Sequence, residues 1–291
     1  MNKKKAASPN SLVEATNNSG LQLPPNKETR LSKISPVVVK IGGSTLGKHD
    51  TTLQDLVDLQ QQGVQSVVIH GGGKIISEWM ERQGVRPRFV RGLRVTDESS
   101  LQIVVAVLTG VVNKSIVASI LSMGGRAIGL SGVDGNMLEA KIFDPEIGRV
   151  GKVIGVDPSP IETILQAGFI PVIAPVATCP NQPTENSKYM LNVNADTAAG
   201  EIAAALKAEH LIVLTDVAGV LDSSRRRIPR LTKLQAEELM HSKVVDGGMI
   251  PKLESCLTAL QNVKKTHIVD GRRPGVLKEV LAGKPLGTRV G

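Results

Sequence analysis

Two apolar runs that close on glycine constrain this 291-residue chain more than any other feature. Val37-Val38-Val39-Lys40-Ile41 runs into Gly42-Gly43, and Ser66-Val67-Val68-Ile69-His70 runs into Gly71-Gly72-Gly73. Unbroken apolar runs of that length describe strands covered on both faces. Between them Leu53, Leu56 and Val57 fall at helical spacing, and Gly63 ends that helix. Strands alternating with helices imply an α/β chain, a three-layer αβα sandwich around a mainly parallel open sheet. The glycine turns then lie at the carboxyl edge of the sheet, where such folds bind ligands. Glycine lets backbone N–H groups approach an oxyanion with no Cβ in the way.

The pattern continues along the chain. Leu101, Val104, Val105, Leu108, Val111 and Val112 predict a helix over 96–123, with Asp97 and Glu98 at its positive end and Gly124-Gly125 as its stop. Strands are expected at 126–130, 169–174, 211–215 and 267–269, and a hairpin over 138–142 and 149–156. Helices are expected at 160–166, 195–206, 234–240, 248–261 and 274–281. Residues 1–35, rich in Ser, Asn, Pro and Lys without either period, read as a disordered basic tail. Pro180 and Pro183 mark a break that divides the remainder into two lobes, 36–178 and 179–291.

The net charge is +8, which raises the question of nucleic acid. Six bases (Lys3, Lys4, Lys5, Lys27, Arg30, Lys33) stand against Glu14 and Glu28 in the first 36 residues, so half of that charge belongs to the tail. Five aromatic residues are too few for base-stacking platforms, and Arg225-Arg226-Arg227 reads as a solvated loop. Neither nucleic acid nor a membrane is expected as a partner: no run reaches eighteen apolar residues, and the N-terminus lacks the apolar stretch of a secretory signal. Cys179 and Cys256 are the only cysteines, which fits a reducing, cytoplasmic setting.

Neither glycine loop carries G-x-G-x-x-G. The first nearly fits a P-loop, but His49 follows Lys48 where a Ser or Thr hydroxyl must hold Mg²⁺, and imidazole is a poor substitute for that hard oxygen. Taken singly, the polar residues around the loops also have plain structural roles. Lys40 could snorkel from a strand end, Lys252 could lie on a helix surface, and Asp196 could be an ordinary N-terminal helix carboxylate. Arg94 could pair with Asp97 or Glu98.

Six motifs in order carry more weight than any one. They are Val39-Lys40-Ile41-Gly42-Gly43-Ser44, His70-Gly71-Gly72-Gly73, Gly92-Leu93-Arg94-Val95-Thr96, Asn192-Val193-Asn194-Ala195-Asp196, Thr215-Asp216-Val217-Ala218-Gly219-Val220 and Gly247-Gly248-Met249-Ile250-Pro251-Lys252. Over residues 36–290 the chain resembles the amino acid kinase family and, within it, the N-acetylglutamate kinases. That resemblance implies an N-terminal lobe for the acylated amino acid, a C-terminal lobe for ATP, and phosphoryl transfer to the side-chain carboxylate. It implies Lys40 and Lys252 as the catalytic lysines and Asp196 as the carboxylate that holds both. Gly72, Gly73, Arg94 and Asn192 are implied on the substrate, and Gly43, Thr215, Asp216, Gly219 and Val220 around the nucleotide. Mg²⁺ would accompany ATP with no protein side chain as ligand. His70 is read as structural, because a substrate carboxylate needs no base. The aminoadipate kinases that act on a carrier protein resemble the chain over 96–134, including Asn113-Lys114 and Gly129–Gly135, and stay open as an alternative, as does a non-catalytic regulatory module of the same fold. A homodimer built on the 101–121 helix is implied. Arginine-sensitive members carry an extra amphipathic helix before the first strand. Here Pro24, Pro25 and Pro36 leave too short and polar a segment for one, and no arginine inhibition is expected.

Overall fold

A computed structural model describes residues 35–42, 51–180 and 189–291. Of the expected tail over 1–35, residues 1–34 lie outside the described residues, and with them all but the end of the segment before β1 expected to lack a docking helix; residues 43–50, with Gly43 and the P-loop-like Lys48-His49, lie outside them too. The described elements run β1 (Val37–Ile41), α1 (Thr52–Gln61), β2 (Ser66–His70), α2 (Gly73–Arg82), β3 (Phe89–Val90), β4 (Leu93–Arg94) and α3 (Glu98–Val105). A π-helical segment, Ala106–Val112, then leads into α4 (Asn113–Ser122), β5 (Ala127–Ser131), β6 (Leu138–Ile142), β7 (Val150–Val156), α5 (Ser159–Gln166) and β8 (Ile170–Ala174). The chain continues through β9 (Val176–Thr178), β10 (Met190–Val193), α6 (Ala195–Ala205), β11 (His210–Thr215) and β12 (Arg230–Leu231). It closes with α7 (Lys233–His241), α8 (Met249–Ala259), β13 (Lys265–Asp270), α9 (Val276–Leu281) and β14 (Thr288–Val290).

The main sheet has the order β12-β14-β13-β11-β1-β2-β8-β5. Every neighbouring pair is parallel except β13 with β14. Its strands bury both faces, as the unbroken apolar runs require. Val38, Ile69, Leu211 and Val213 pack with Ala199 and Ile202 of α6 and Leu253 of α8. Val39, Ile41, Val68 and Ile212 pack on the other face with Leu56 of α1, Val104 of α3, Ile116 of α4 and Leu277 of α9. That is the expected three-layer αβα sandwich. From β1 the chain builds outward to β2 on one side and β11 on the other, so the order reverses at the carboxyl end of β1. Open α/β sheets bind ligands at such a switch point, and Lys40 and Gly42 stand there.

The expected hairpin is present as antiparallel β6 and β7, which close with β9 and β10 into a four-stranded barrel. β9 and β10 pair antiparallel, so the chain on either side of Pro180 belongs to one ladder. The 96–123 expectation is met by α3, the π segment and α4, capped by Asp97, which accepts a hydrogen bond from the Ser100 N–H at 2.8 Å. Glu98–Ser122 is long and apolar enough to cross a bilayer, although counting unbroken apolar residues did not flag it. Its Leu101, Val104, Leu108, Val112, Ile116 and Ile120 are instead buried in the protein.

On β11 and β13, His210 and His267 stack with ring centroids 5.5 Å apart. Burial, reinforced by the charge of His210, holds His267 down from 6.5 to about 4. The folded state therefore refuses a proton that the unfolded chain accepts between those values. The resulting stability is complete above pH 6.5 and lost as pH falls toward 4, by up to ~3 kcal/mol. Denaturant unfolding at pH 7 and pH 5 should show a smaller difference in His267→Gln than in wild type; an equal difference would assign the acid sensitivity elsewhere.

Candidate active site

Lys40 shares the β1 face of Val38, and at the strand end its side chain meets the N-terminus of α6. That terminus is fixed by Asn194, whose Oδ1 accepts from the N–H groups of Asp196 at 2.9 Å and Thr197 at 3.2 Å. The cap sets Asp196 in the first turn, its carboxylate facing β1. Lys40 Nζ lies 2.9 Å from Asp196 Oδ1, and Lys252 Nζ, coming from α8, lies 3.3 Å from Oδ2. Lys252 also donates to Gly248 O at 3.2 Å. One carboxylate thus holds two ammonium groups from opposite elements. Burial, and the charge of Lys252, lower the Lys40 pKa, while Asp196 opposes the shift. The three residues implied as catalytic are brought together.

Close packing of α6 on α8 makes this possible. A Cβ at Gly200 would stand 2.6 Å from the backbone oxygen of Ser255, three residues beyond Lys252. Gly200→Ala should therefore force α8 outward, lowering stability by roughly 1–3 kcal/mol and parting Lys252 from Asp196. A melting temperature and kcat equal to wild type would contradict this account of the helix pair.

A cavity of about 210 Å³ opens beside the triad, lined among others by Lys40, Asp196, Gly72, Gly73, Arg94 and Asn192. Gly72 precedes α2, whose N-terminus has no side-chain cap, so the first N–H groups of that helix remain available for an anion. Arg94 is 7% exposed. Its Nη2 donates to Gly73 O at 2.7 Å and Ser77 Oγ at 2.9 Å, its Nη1 reaches Met80 Sδ at 3.3 Å, and the Phe89 ring lies 4.6 Å from the guanidinium carbon. No carboxylate among the described residues pairs with it. Burial lowers its pKa. A buried cation without a counter-charge is costly, and an anionic ligand would relieve that cost. Asn192, on β10, donates to Thr96 Oγ1 at 3.2 Å. Asp196 is the one carboxylate among the residues lining this cavity, against Lys40 and Arg94 on its walls and Lys252 paired with Asp196, so the site carries surplus positive charge.

Thr215, Asp216, Gly219 and Val220 do not line this cavity. Thr215 ends β11 and its hydroxyl lies 3.4 Å from Asp216 Oδ1. Gly219 has φ 140°, and Val220 is fully buried with its N–H donated to Thr288 Oγ1 at 2.8 Å. The loop borders a second cavity of about 260 Å³ through Ala218, with Arg227, Asp270 and Arg273 on its walls. Sequence reasoning assigned no role to Asn194, Phe89 or Ser77. An Asn before an apolar helix is a cap signal that could have found the first; Phe89 lies on a two-residue strand too short for any period, and a serine within α2 such as Ser77 carries no signal of its distant arginine partner.

A profile of the amino acid kinase family matches residues 35–270. The chain is 45% identical over 265 residues to an acetylglutamate kinase of Thermoanaerobacter sp. (strain X514), covering 88% of this chain and 87% of that protein. To the acetylglutamate kinase of Synechococcus elongatus (strain ATCC 33912 / PCC 7942 / FACHB-805) it is 44% identical over 263 residues, covering 87% and 85%. The crystal structure of smu.665 from Streptococcus mutans UA159 superposes with a TM-score of 0.73 at 29% identity, over 87% of this chain and 97% of that one. Sheet order, the site at its switch point and matches of this extent agree, and the chain belongs to the amino acid kinase family.

Proposed function

We propose that this chain transfers the γ-phosphoryl group of ATP to the side-chain carboxylate of N-acetyl-L-glutamate, giving N-acetyl-L-glutamyl 5-phosphate for arginine biosynthesis. The observation that carries the proposal is the Lys40–Asp196–Lys252 cluster beside a buried, uncompensated Arg94. Relatives named acetylglutamate kinase at 45% and 44% identity support the choice of acceptor.

The chemistry asks for little beyond placement and charge. A carboxylate with a pKa of about 4.3 is ionised at pH 7, so no general base is required. Two anions must be brought together and the charge on the moving phosphoryl group offset. Lys40 and Lys252 meet that charge from opposite sides, while Asp196 keeps both ammonium groups in position. Gly72 and Gly73, with Gly43, supply backbone donors. Arg94 takes the substrate α-carboxylate, and Asn192 offers the same substrate both a donor and an acceptor. Thr215, Asp216, Gly219 and Val220 belong to the strand end and loop around the nucleotide. Residues 36–178 thus serve mainly the acyl amino acid and 179–291 mainly ATP. Mg²⁺ would be held by the nucleotide phosphates and would neutralise their charge, since Asp196, the carboxylate lining the cavity, is occupied by two lysines.

We assign the chain to the cytoplasm as a homodimer, with neither nucleic acid nor membrane as partner; light scattering at a larger mass would contradict the dimer. The reaction is tested by trapping the acyl phosphate with hydroxylamine. Hydroxamate should form with ATP and N-acetylglutamate, and far more slowly with glutamate or N-acetylaminoadipate. Preference for the aminoadipate would move the assignment to the other branch, and no hydroxamate from any acceptor would end it.

A further inference from the structure

His70, last residue of β2, is fully buried directly before the glycine turn, and the mechanism above gives it no task. Its Nδ1 lies 3.0 Å from Gly71 O, and its Nε2 lies 3.1 Å from Asn113 Nδ2. The orientation of Asn113 follows from its other partners. Its nitrogen faces two carbonyl oxygens, Val172 at 2.8 Å and Leu130 at 3.2 Å, while its oxygen accepts from Lys114 Nζ at 3.1 Å. Carbonyls only accept and ammonium only donates, so the amide cannot be flipped. The amide's two N–H groups are shared among these two carbonyls and His70 Nε2, and because an amide nitrogen accepts no hydrogen bond, the Nε2 that faces it carries no hydrogen and accepts. The imidazole hydrogen is thereby forced onto Nδ1, where it donates to Gly71 O.

That bond fixes a peptide plane. In a trans peptide the C=O and the following N–H point in opposite directions. Holding Gly71 O on the His70 side turns the Gly72 N–H away from it, and Gly72 lines the cavity beside Lys40. The same turn is pressed from behind by the π segment. A Cβ at Gly72 would stand 2.8 Å from Leu108 Cδ2 and 3.3 Å from Val112 Cγ2. The segment that supplies those contacts ends at Val112, directly before Asn113. Burial holds the imidazole neutral, its pKa down to about 4, so the clamp has one protonation state near neutral pH.

We propose that His70 and Asn113 are positioning residues: Asn113 selects the Nδ1–H tautomer of His70, which clamps Gly71 C=O and aims the Gly72 N–H at the oxygen of the transferred phosphoryl group. This rests on the acyl-phosphate reaction proposed above. Neither residue lines the cavity itself.

Two amide replacements separate a clamp from mere filling. An Asn amide nitrogen occupies the place of imidazole Nδ1, whereas a Gln amide reaches the place of Nε2. His70→Gln should lower kcat about 10²-fold, the usual cost of a misplaced donor, with both KM values changed much less. His70→Asn should fall clearly between it and wild type at a similar melting temperature. Equal kcat losses in the two variants, or a folded His70→Gln within about threefold of wild type, would overturn the clamp. Should both variants fail to fold, ¹⁵N spectroscopy of the wild-type imidazole decides: Nδ1 protonated and Nε2 bare at pH 7 is expected, and the reverse refutes the proposal. If wild type itself forms no acyl phosphate, the proposed reaction fails, and the tautomer measurement still judges the clamp on its own.

Discussion

Replacing Lys40 or Lys252 with alanine lowers kcat about 10²–10³-fold, or about 3–4 kcal/mol of transition-state stabilisation for one preorganised donor. Each ammonium lies within 3.3 Å of the same carboxylate and neither has freedom to wander, so each meets the developing phosphoryl charge without reorganising. The fold should survive either change. With Lys40 gone, Asp196 keeps Lys252; with Lys252 gone, it keeps Lys40, and no buried carboxylate is left without a cation. The double variant should lose less than the product of the single losses, because all three groups act as one unit. The check is kcat at saturating substrates beside a melting curve, and a folded single variant within about threefold of wild type would remove that lysine from the mechanism.

Arg94→Lys raises KM for the acyl amino acid about 10–100-fold, the value of one charge-assisted hydrogen bond at ~1.5–3 kcal/mol. KM for ATP should change little. The guanidinium spends part of its fork on Gly73 O, Ser77 Oγ and Met80 Sδ and stacks on Phe89, which holds its plane fixed. Lysine keeps the charge but has neither the plane nor enough donors to keep those bonds and grip both oxygens of a carboxylate. Initial rates with each substrate varied in turn decide it. A larger rise for ATP would move Arg94 to the nucleotide side.

The buried strands were legible because burial on both faces leaves an unbroken apolar signature; β1, β2 and β11 stand where the runs predicted them. β3, β4, β12 and β14 span only two or three residues, too few for any period to register. The π segment was invisible for a different reason: apolar residues continue through it at near-helical spacing, and only the backbone reveals the wider turn. At the site, residue types and order pointed to a family, but chain positions 40, 196 and 252 carry no information about distance. The plain alternatives could therefore be weighed only once the coordinates gave the distances. Asp97 is spent capping α3 and Glu98 pairs with Arg149 at 3.2 Å, so neither serves Arg94. Lys252 is no surface residue, its side chain 15% exposed. His70 was read as structural, and its two ring nitrogens are engaged by Gly71 O and Asn113 Nδ2.

The central place of β1 in the sheet also bears on how the enzyme comes into being. Val37 pairs on one side with Ser66 and on the other with His210. The first partner is local; the second must close a loop of most of the chain, an entropic delay that slows folding. During synthesis β1 and β2 can pair early, yet the β1 edge stays open until β11 has been made. An apolar strand edge left waiting is a template for pairing with other chains. The arrangement that gathers Lys40 from the start of the chain and Lys252 from near its end thus couples catalysis to contacts that close long loops. Chaperone demand and the appearance of activity should share one cause.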